Sequence, residues 1–453
     1  MTEFPSTRAA FLIPPGQCYL DGATFGLMPK NAPEQVQAAM VQLWSGAANH
    51  LRCDTVWHAL PDRISARIAR LIGGAPSEVL IGETLSIQVF QALSSALSLC
   101  SGAPRRIILT DNSIAQSDLH VLQAHARTLG CSLRVVEPEQ ICYALGEDVA
   151  VLLMAEVDRR TGKRRDLPCL TRLAHDAGAL TVWDLSHSVG ASPIDLTSAC
   201  ADFAVGGTHK YLNGGPGAPA FIWVAPRFAE RITPALQGGM GRHGSCGPPE
   251  HQDRDKGIER LRIGATSLLG LVALDTAMAV WEEVEPATLF RAGGALTGAL
   301  IEGVARHCPE LMIATPREAG RRGAHVSLNH PSAAAIAQAL AAENIIVGLC
   351  PPNILRIAFA PLYNNLAEVE RVVDALARAV RANPPVRPET RAGPARTIGI
   401  GRPNVRPEAV SQGKAECICQ KSCPWLSLLS LRLHRPWPRR LCPSNTSPLP
   451  KPF

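Results

Sequence analysis

Lysine is scarce in this chain, with seven against 38 arginines in 453 residues, so a lysine that acts covalently has few candidates. Lys414, Lys421 and Lys451 fall in a C-terminal tail, and Lys30 and Lys256 in polar, turn-like surroundings. Lys163 stands among arginines in Arg159-Arg-Thr-Gly-Lys-Arg-Arg165, which reads as a solvated loop. Lys210 remains. It lies in Gly206-Gly-Thr-His-Lys-Tyr-Leu-Asn-Gly-Gly-Pro-Gly217, just after an apolar run and among glycines that let other groups approach closely. Upstream, Asp184 closes the run Leu180-Thr-Val-Trp183, so its carboxylate emerges at the carboxyl edge of a strand. There it can pair with a protonated pyridine nitrogen and strengthen such a ring as an electron sink. His187, three residues on, can pack on or near the same ring. A lone lysine here is better explained as a loop cap, and a lone strand-end aspartate is more often a turn former than a cofactor partner. The ordered set, with the lysine 26 residues after the acid, is more specific than either.

A phosphate cradle is also legible. Gly82-Glu-Thr-Leu-Ser-Ile-Gln88 precedes an apolar-periodic segment running to Leu99, which puts a hydroxyl and free backbone N–H groups at a helix N-terminus. The same pattern fits an ordinary capping turn with Thr84 or Ser86 as N-cap. Gly214-Gly-Pro-Gly217 is not a P-loop, because no Gly-Lys-Ser/Thr follows.

The elements that must position these groups alternate. Apolar, β-branched runs occur at Arg106–Thr110, Leu133–Val136, Val149–Met154, Leu180–Trp183, Phe203–Val205 and Ala220–Val224, with helical patterns between, as at Asp118–Leu129 and Leu167–Ala177. This alternation predicts an α/β fold around a mostly parallel sheet, with ligands beyond the carboxyl ends of the strands. After about residue 270 the pattern turns to Ala/Leu-rich helices with a few strands, which predicts a smaller second domain.

Apolar residues make up 46% and charged residues 19%, as in globular proteins. No apolar run reaches the roughly 18–20 residues of a membrane helix. Met1-Thr-Glu-Phe-Pro-Ser6 has no basic region leading into an apolar run, so the cytoplasm is the expected location and the 14 cysteines read as reduced thiols. Net charge is +6, but residues 384–453 alone carry 12 Lys plus Arg against three Glu, which leaves residues 1–383 at −3. A mildly acidic body has no electrostatic footprint for nucleic acid. The tail holds 13 of the 37 prolines and no sustained periodicity, and reads as disordered. Its Cys417, Cys419, Cys423 and Cys442 match no metal-site spacing, so no metal is expected.

The segments Val182-Trp-Asp-Leu-Ser-His-Ser-Val-Gly190 and Ala204–Phe221 resemble the kynureninase family. So do Tyr19-Leu-Asp-Gly-Ala-Thr-Phe-Gly26, the run from Trp44 to Gly73, His325-Val-Ser-Leu-Asn-His-Pro331 and Leu355-Arg-Ile-Ala-Phe-Ala-Pro-Leu-Tyr363, so that the likeness spans roughly residues 15–380. The resemblance implies a pyridoxal-phosphate enzyme of fold type I, a homodimer with its sites at the subunit interface. It implies a large cofactor domain over 56–275 and a small α+β domain over 276–383, joined by the N-terminal 1–55 segment. The activity implied is hydrolysis of L-kynurenine, or 3-hydroxykynurenine, to the corresponding anthranilate and L-alanine. Lys210 would hold the cofactor as a Schiff base and then act as a base, Asp184 would hold the pyridinium nitrogen, and His187 would support the ring. Thr84, Leu85, Asp118, Gly239 and Ala265 match cofactor-site positions, and Arg356 matches the arginine that grips the substrate carboxylate, where a guanidinium can pair bidentately.

Several of these positions depart from the family pattern. His209 stands where the family has a tyrosine that binds phosphate and moves protons, and an imidazole can do both at a different pKa. The paired hydroxyls of the phosphate loop become Thr84-Leu85, and no aromatic stands near Ala115 to stack on the ring. Gly239 replaces a tryptophan, Ala265 a threonine or asparagine, and Asn329 an arginine. Three outcomes stay open on these departures: the family reaction, the same chemistry on another aromatic or β-acyl amino acid, or a chain that binds without turnover.

Overall fold

The computed structural model describes residues 5–42, 55–100, 105–238 and 256–384. Gly239 and the tail beyond Pro384, with its cysteines, lie outside the described residues.

Two sheets organise the chain. The first has seven strands: β2 (Val79–Ile81), β3 (Ile107–Asp111), β4 (Ser132–Val136), β5 (Val149–Ala155), β6 (Leu180–Asp184), β7 (Phe203–Gly206) and β8 (Phe221–Val224), in the order β2-β8-β7-β6-β5-β3-β4. β8 runs antiparallel to both neighbours and the other pairs are parallel. The sequence dictates this arrangement. Every residue of β5, Val-Ala-Val-Leu-Leu-Met-Ala, is buried, as an unbroken apolar run must be when helices cover both faces of a parallel sheet. β4, at the sheet edge, instead mixes half-buried and exposed positions. Trp183 and Trp223, the largest fully buried side chains among the described residues, each place their one polar atom: Trp183 Nε1 donates to Thr171 Oγ1 at 3.1 Å and Trp223 Nε1 to Glu78 Oε2 at 2.9 Å.

The second sheet has five strands in the order β1 (Cys18–Leu20), β11 (Ile345–Cys350), β12 (Ile354–Ala358), β10 (His325–Asn329) and β9 (Met312–Ile313). β1 pairs parallel with β11, and the remaining pairs are antiparallel. Helices Pro286–His307, Ala333–Ala342 and Leu366–Ala382 pack Leu296, Leu300, Ile336 and Val372 against it in a separate apolar cluster. The last of these helices starts with a reciprocal cap: Asn365 Oδ1 accepts from the Glu368 amide and Glu368 Oε2 from the Asn365 amide, each at 3.1 Å.

Strand directions fix the site. Because β8 is antiparallel to both β2 and β7, β2 points the same way as the parallel strands. The segments that follow β2, β3, β5, β6 and β7 therefore all leave one edge of the sheet, and on them stand Thr84, Asp118, Arg159, Asp184 with His187, and Lys210. Among the described residues no helix is long and apolar enough to cross a membrane, and none of their His, Cys, Asp and Glu side chains group as a metal site. Eight cysteines among them are free thiols.

Candidate active site

Lys210 is the centre of the edge. Its Nζ lies 3.2 Å from Nε2 and 3.4 Å from Nδ1 of His187. His187 is buried, and burial followed by the charge of Lys210 holds its pKa well below the usual imidazole range, so it faces the amine as a neutral ring. Burial likewise draws the Lys210 pKa down to about 8, against the opposing pull of Asp184 and Asp118 and with help from Arg356 and Arg159. A lysine so placed is part-neutral near physiological pH and can attack a carbonyl.

Asp184 accepts two hydrogen bonds, from the Ser186 amide at 2.9 Å and the Ser186 hydroxyl at 2.5 Å, and both land on Oδ1. The Ser186 hydroxyl in turn accepts from the Gly207 amide at 2.9 Å, tying the acid to the loop that carries Lys210. One carboxylate oxygen is thus fixed and the other left for a partner. Asp118 is fully buried in the first turn of helix Gln116–Leu129, and its Oδ2 has no hydrogen-bond partner. Burial, then the charge of Asp184, pushes its pKa up to about 7. Two buried carboxyls and one amine therefore share the site, an arrangement that a cationic ring would balance.

Thr84 is the N-cap residue of helix Leu85–Leu99, yet its hydroxyl makes no capping bond, and Leu85 opens the helix. The hydroxyl and the first amides of a 15-residue helix are accordingly available to an anion. Ala265 is exposed, and it is the hydroxyl of the next residue, Thr266, that lies 3.1 Å from where a Cβ on Gly82 would be. Ala115 occupies the N-cap of helix Gln116–Leu129 and brings no ring. His209, whose ring centroid is 5.4 Å from that of Phe25, has its pKa lowered to about 4 by burial and by Lys210, so it is neutral at pH 7.

Arg356 comes from β12 and is buried. It lies opposite Gly348 of β11. The absent side chain at Gly348 admits Asp21: a Cβ there would sit 2.6 Å from Asp21 Oδ1. Arg356 Nη2 donates to Thr24 Oγ1 and stands 3.6 Å from Asp21 Oδ1, while Nε has no partner. Thr24 itself donates to Asp21 Oδ1 at 2.7 Å.

Three groups at this edge were not anticipated from the sequence. Asp21 and Thr24, in the Tyr19–Gly26 motif, are held beside Arg356. The fully buried His325 has both ring nitrogens unpartnered, its centroid 6.3 Å from that of His187, and its pKa lowered to about 3 by burial. The third is Arg159, and with it the expectation of a solvated 159–165 loop is corrected. Arg165 is buried against Asp111 and Ser113, Arg164 pairs with the fully buried Glu156, and Arg159, whose Nε is buried and unpartnered, lies close enough to Asp118, His187 and Lys210 for its charge to lower the pKa of each. Carboxylates at the ends of β3 and β5 pull the Arg165 and Arg164 guanidiniums in, because a buried carboxylate demands a counter-charge.

The segment Asp21–Gly26 roofs the lysine loop. The Gly26 amide donates to the His209 carbonyl at 2.9 Å, and a Cβ on Gly26 would fall 2.2 Å from the Lys210 carbonyl oxygen and 2.8 Å from Asn213 Cα. Only glycine fits against backbone at that distance. Gly26→Ala is expected to displace the Lys210 loop and lower turnover at least tenfold while the far-UV circular dichroism stays native; unchanged kinetics would show that the loop yields freely.

The fold is that of the type I pyridoxal-phosphate enzymes. Solved structures with it include a cysteine desulfurase from Thermococcus onnurineus NA1 (TM-score 0.72, 20% identity, 84% of this chain and 99% of that one) and a C-DES mutant with glycine linked to its PLP cofactor (TM-score 0.73, 16% identity, 82% and 98%). Within that class the sequence is decisive. Residues 291–376 match the family model described as the kynureninase C-terminal domain. The chain is 37% identical to the kynureninase of Pseudomonas fluorescens over 82% of this chain and 90% of that protein, and 38% identical to that of Deinococcus radiodurans over 82% and 92%. The chain belongs to the kynureninase family.

Proposed function

We propose that this protein is a pyridoxal-phosphate-dependent hydrolase that cleaves L-kynurenine, or 3-hydroxykynurenine, to anthranilate or 3-hydroxyanthranilate and L-alanine. The observation that carries the reading is the Lys210 amine beside a neutral His187, on a loop that Ser186 ties to Asp184, at the sheet edge where this family's cofactor would lie. Pyridoxal phosphate supplies an aldehyde for amines and a ring that takes up electrons.

The residues present fit that group. The unpartnered oxygen of Asp118, the second oxygen of Asp184, the uncapped hydroxyl of Thr84 and the first amides of its helix are polar groups awaiting partners. Asp184 would hold the ring nitrogen protonated, with Ser186 fixing its angle. His187 would lie against the ring, and Thr84, with the amides at Leu85 and beyond, would take the phosphate. Lys210 would bind the cofactor, then receive and return the proton at the substrate α-carbon, a role its lowered pKa suits. His209, neutral above about pH 4, offers an N–H to the phosphate side and a lone pair for a proton in transit. Arg356 would grip the substrate α-carboxylate. Gly239 and Ala265 would take outer places around the cofactor. We further read the seven-stranded body over 56–275 as the cofactor domain, the five-stranded body over 276–383 with the 1–55 segment as the domain that presents Arg356, the assembly as a homodimer, and the location as cytoplasmic.

The test is to incubate protein, pyridoxal phosphate and L-kynurenine and follow anthranilate fluorescence. Steady release is expected; a spectral change without release would move the reading to another aromatic or β-acyl amino acid, and neither would sink it. A second result follows from the amine. Attachment of added cofactor to ligand-free protein should speed up with pH through a midpoint at about 8, because the neutral amine attacks and burial has lowered its pKa to that value. A midpoint at the ordinary lysine value, followed by stopped-flow absorbance, would contradict the burial argument.

A further inference from the structure

A cleft of about 570 Å³ away from Lys210 is lined by three arginines from three segments, Arg164, Arg291 and Arg322, and by no acidic residue. Arg322 is the unusual member. It is only 7% exposed, and it donates from Nε to Thr297 Oγ1 at 2.9 Å, from Nη2 to the Gly294 carbonyl at 3.2 Å and from Nη1 to the Arg317 carbonyl. All three acceptors are neutral, and no carboxylate among the described residues lies within ion-pair distance of it. A buried cation held in place by neutral acceptors lacks its counter-charge. Of the other two, Arg164 is paired with Glu156, and Arg291, exposed on helix Pro286–His307, bonds among the described residues only to the Thr288 hydroxyl. Three guanidiniums thus share one carboxylate. The walls between them are small or apolar, with Phe290 and Pro193, and a Cβ at Gly294 or Gly320 would meet nothing within 4 Å.

We infer that this cleft binds a small organic anion, with a carboxylate or phosphate head on Arg322 and Arg291 and an apolar body against Phe290. The volume exceeds what a bare inorganic ion fills, and planar guanidiniums suit either head group. The cleft backs onto the site wall. Gly323 N donates to the Gly162 carbonyl, Arg164 N to the Arg321 carbonyl, and Gly162 abuts His325 so closely that a Cβ there would fall 2.6 Å from the His325 carbonyl. An occupant would brace the turn that carries Arg159 and, through Gly162 and Gly323, the start of β10 at His325, which makes the cleft a place for an effector.

The experiment is thermal unfolding of the cofactor-loaded protein titrated with phenyl phosphate and, separately, benzoate, each against sodium chloride at matched ionic strength. A saturable rise in midpoint with at least one probe is expected, absent in Arg322→Met, weakened at least tenfold in apparent affinity in Arg291→Glu, and retained in Arg356→Met. Which probe acts tells phosphate from carboxylate. Arg291 is exposed, so its variant carries the test if Arg322→Met fails to fold. No rise beyond chloride, a rise unchanged in both cleft variants, or a rise lost only in Arg356→Met would each overturn the inference, the last by placing the anion in the active site.

Discussion

Lys210→Ala is expected to lower anthranilate release by about a thousandfold or more, since it removes both the covalent anchor and the proton carrier. The same change should leave the fold intact. Burial already disfavours the charged amine, and among the described residues the only side chain Lys210 touches within hydrogen-bond distance is His187. The variant should still bind pyridoxal phosphate, because Asp184, His187, Thr84 and the helix amides are untouched, yet it should lose the absorbance of the lysine-bound cofactor. Small primary amines added to the assay should restore part of the turnover. Alanine at this position with activity within tenfold of the parent would remove Lys210 from the chemistry and leave the family reading without its central residue.

The parts of this molecule that were readable from residue order are those set by short-range rules. The unbroken apolar runs of β5 and β7 announce buried parallel strands, and Asp184 and Lys210 sit within a few residues of strands whose ends are visible in the pattern. What was not readable depends on long-range convergence. Asp21, Thr24 and Arg356 meet although some 330 residues separate them, through a parallel pairing of β1 with β11 that no local periodicity encodes. Arg165 looks solvated in one dimension because its partner, Asp111, lies at the end of another strand, and Arg164 does because nothing local shows that Glu156, just after β5, is buried. The hydroxyl beside the phosphate loop comes from Thr266, one place from the position that a comparison of motifs singles out. At the site's outer shell, His209 and Leu85 changed residue type without any local signal of what compensates.

Arg356→Met is expected to raise KM for kynurenine with a smaller effect on kcat. Removing one partner of a buried, hydrogen-bonded charge pair costs about 2–5 kcal/mol, roughly 30-fold to several thousandfold in affinity. In the ligand-free protein, however, Arg356 is not idle. It holds the Thr24 hydroxyl and lies 3.6 Å from Asp21, whose pKa burial raises and Arg356 opposes. A substrate carboxylate must therefore compete with Asp21, or use the unpartnered Nε and the remaining N–H groups beside it. The single variant mixes two losses: the carboxylate grip, and the support of a buried Asp21 that anchors the Asp21–Gly26 roof over the lysine loop. Asp21→Asn separates them. If Asp21 only buffers the arginine, Asp21→Asn should tighten substrate binding, and the double variant should bind no worse than Arg356→Met alone. If the pair instead holds the roof in place, Asp21→Asn should lower kcat as Gly26→Ala does, and the thermal midpoints of both should fall together. An unchanged KM in Arg356→Met would mean that another cation takes the carboxylate, and Arg159, with its buried free Nε at the same edge, is the residue to replace next.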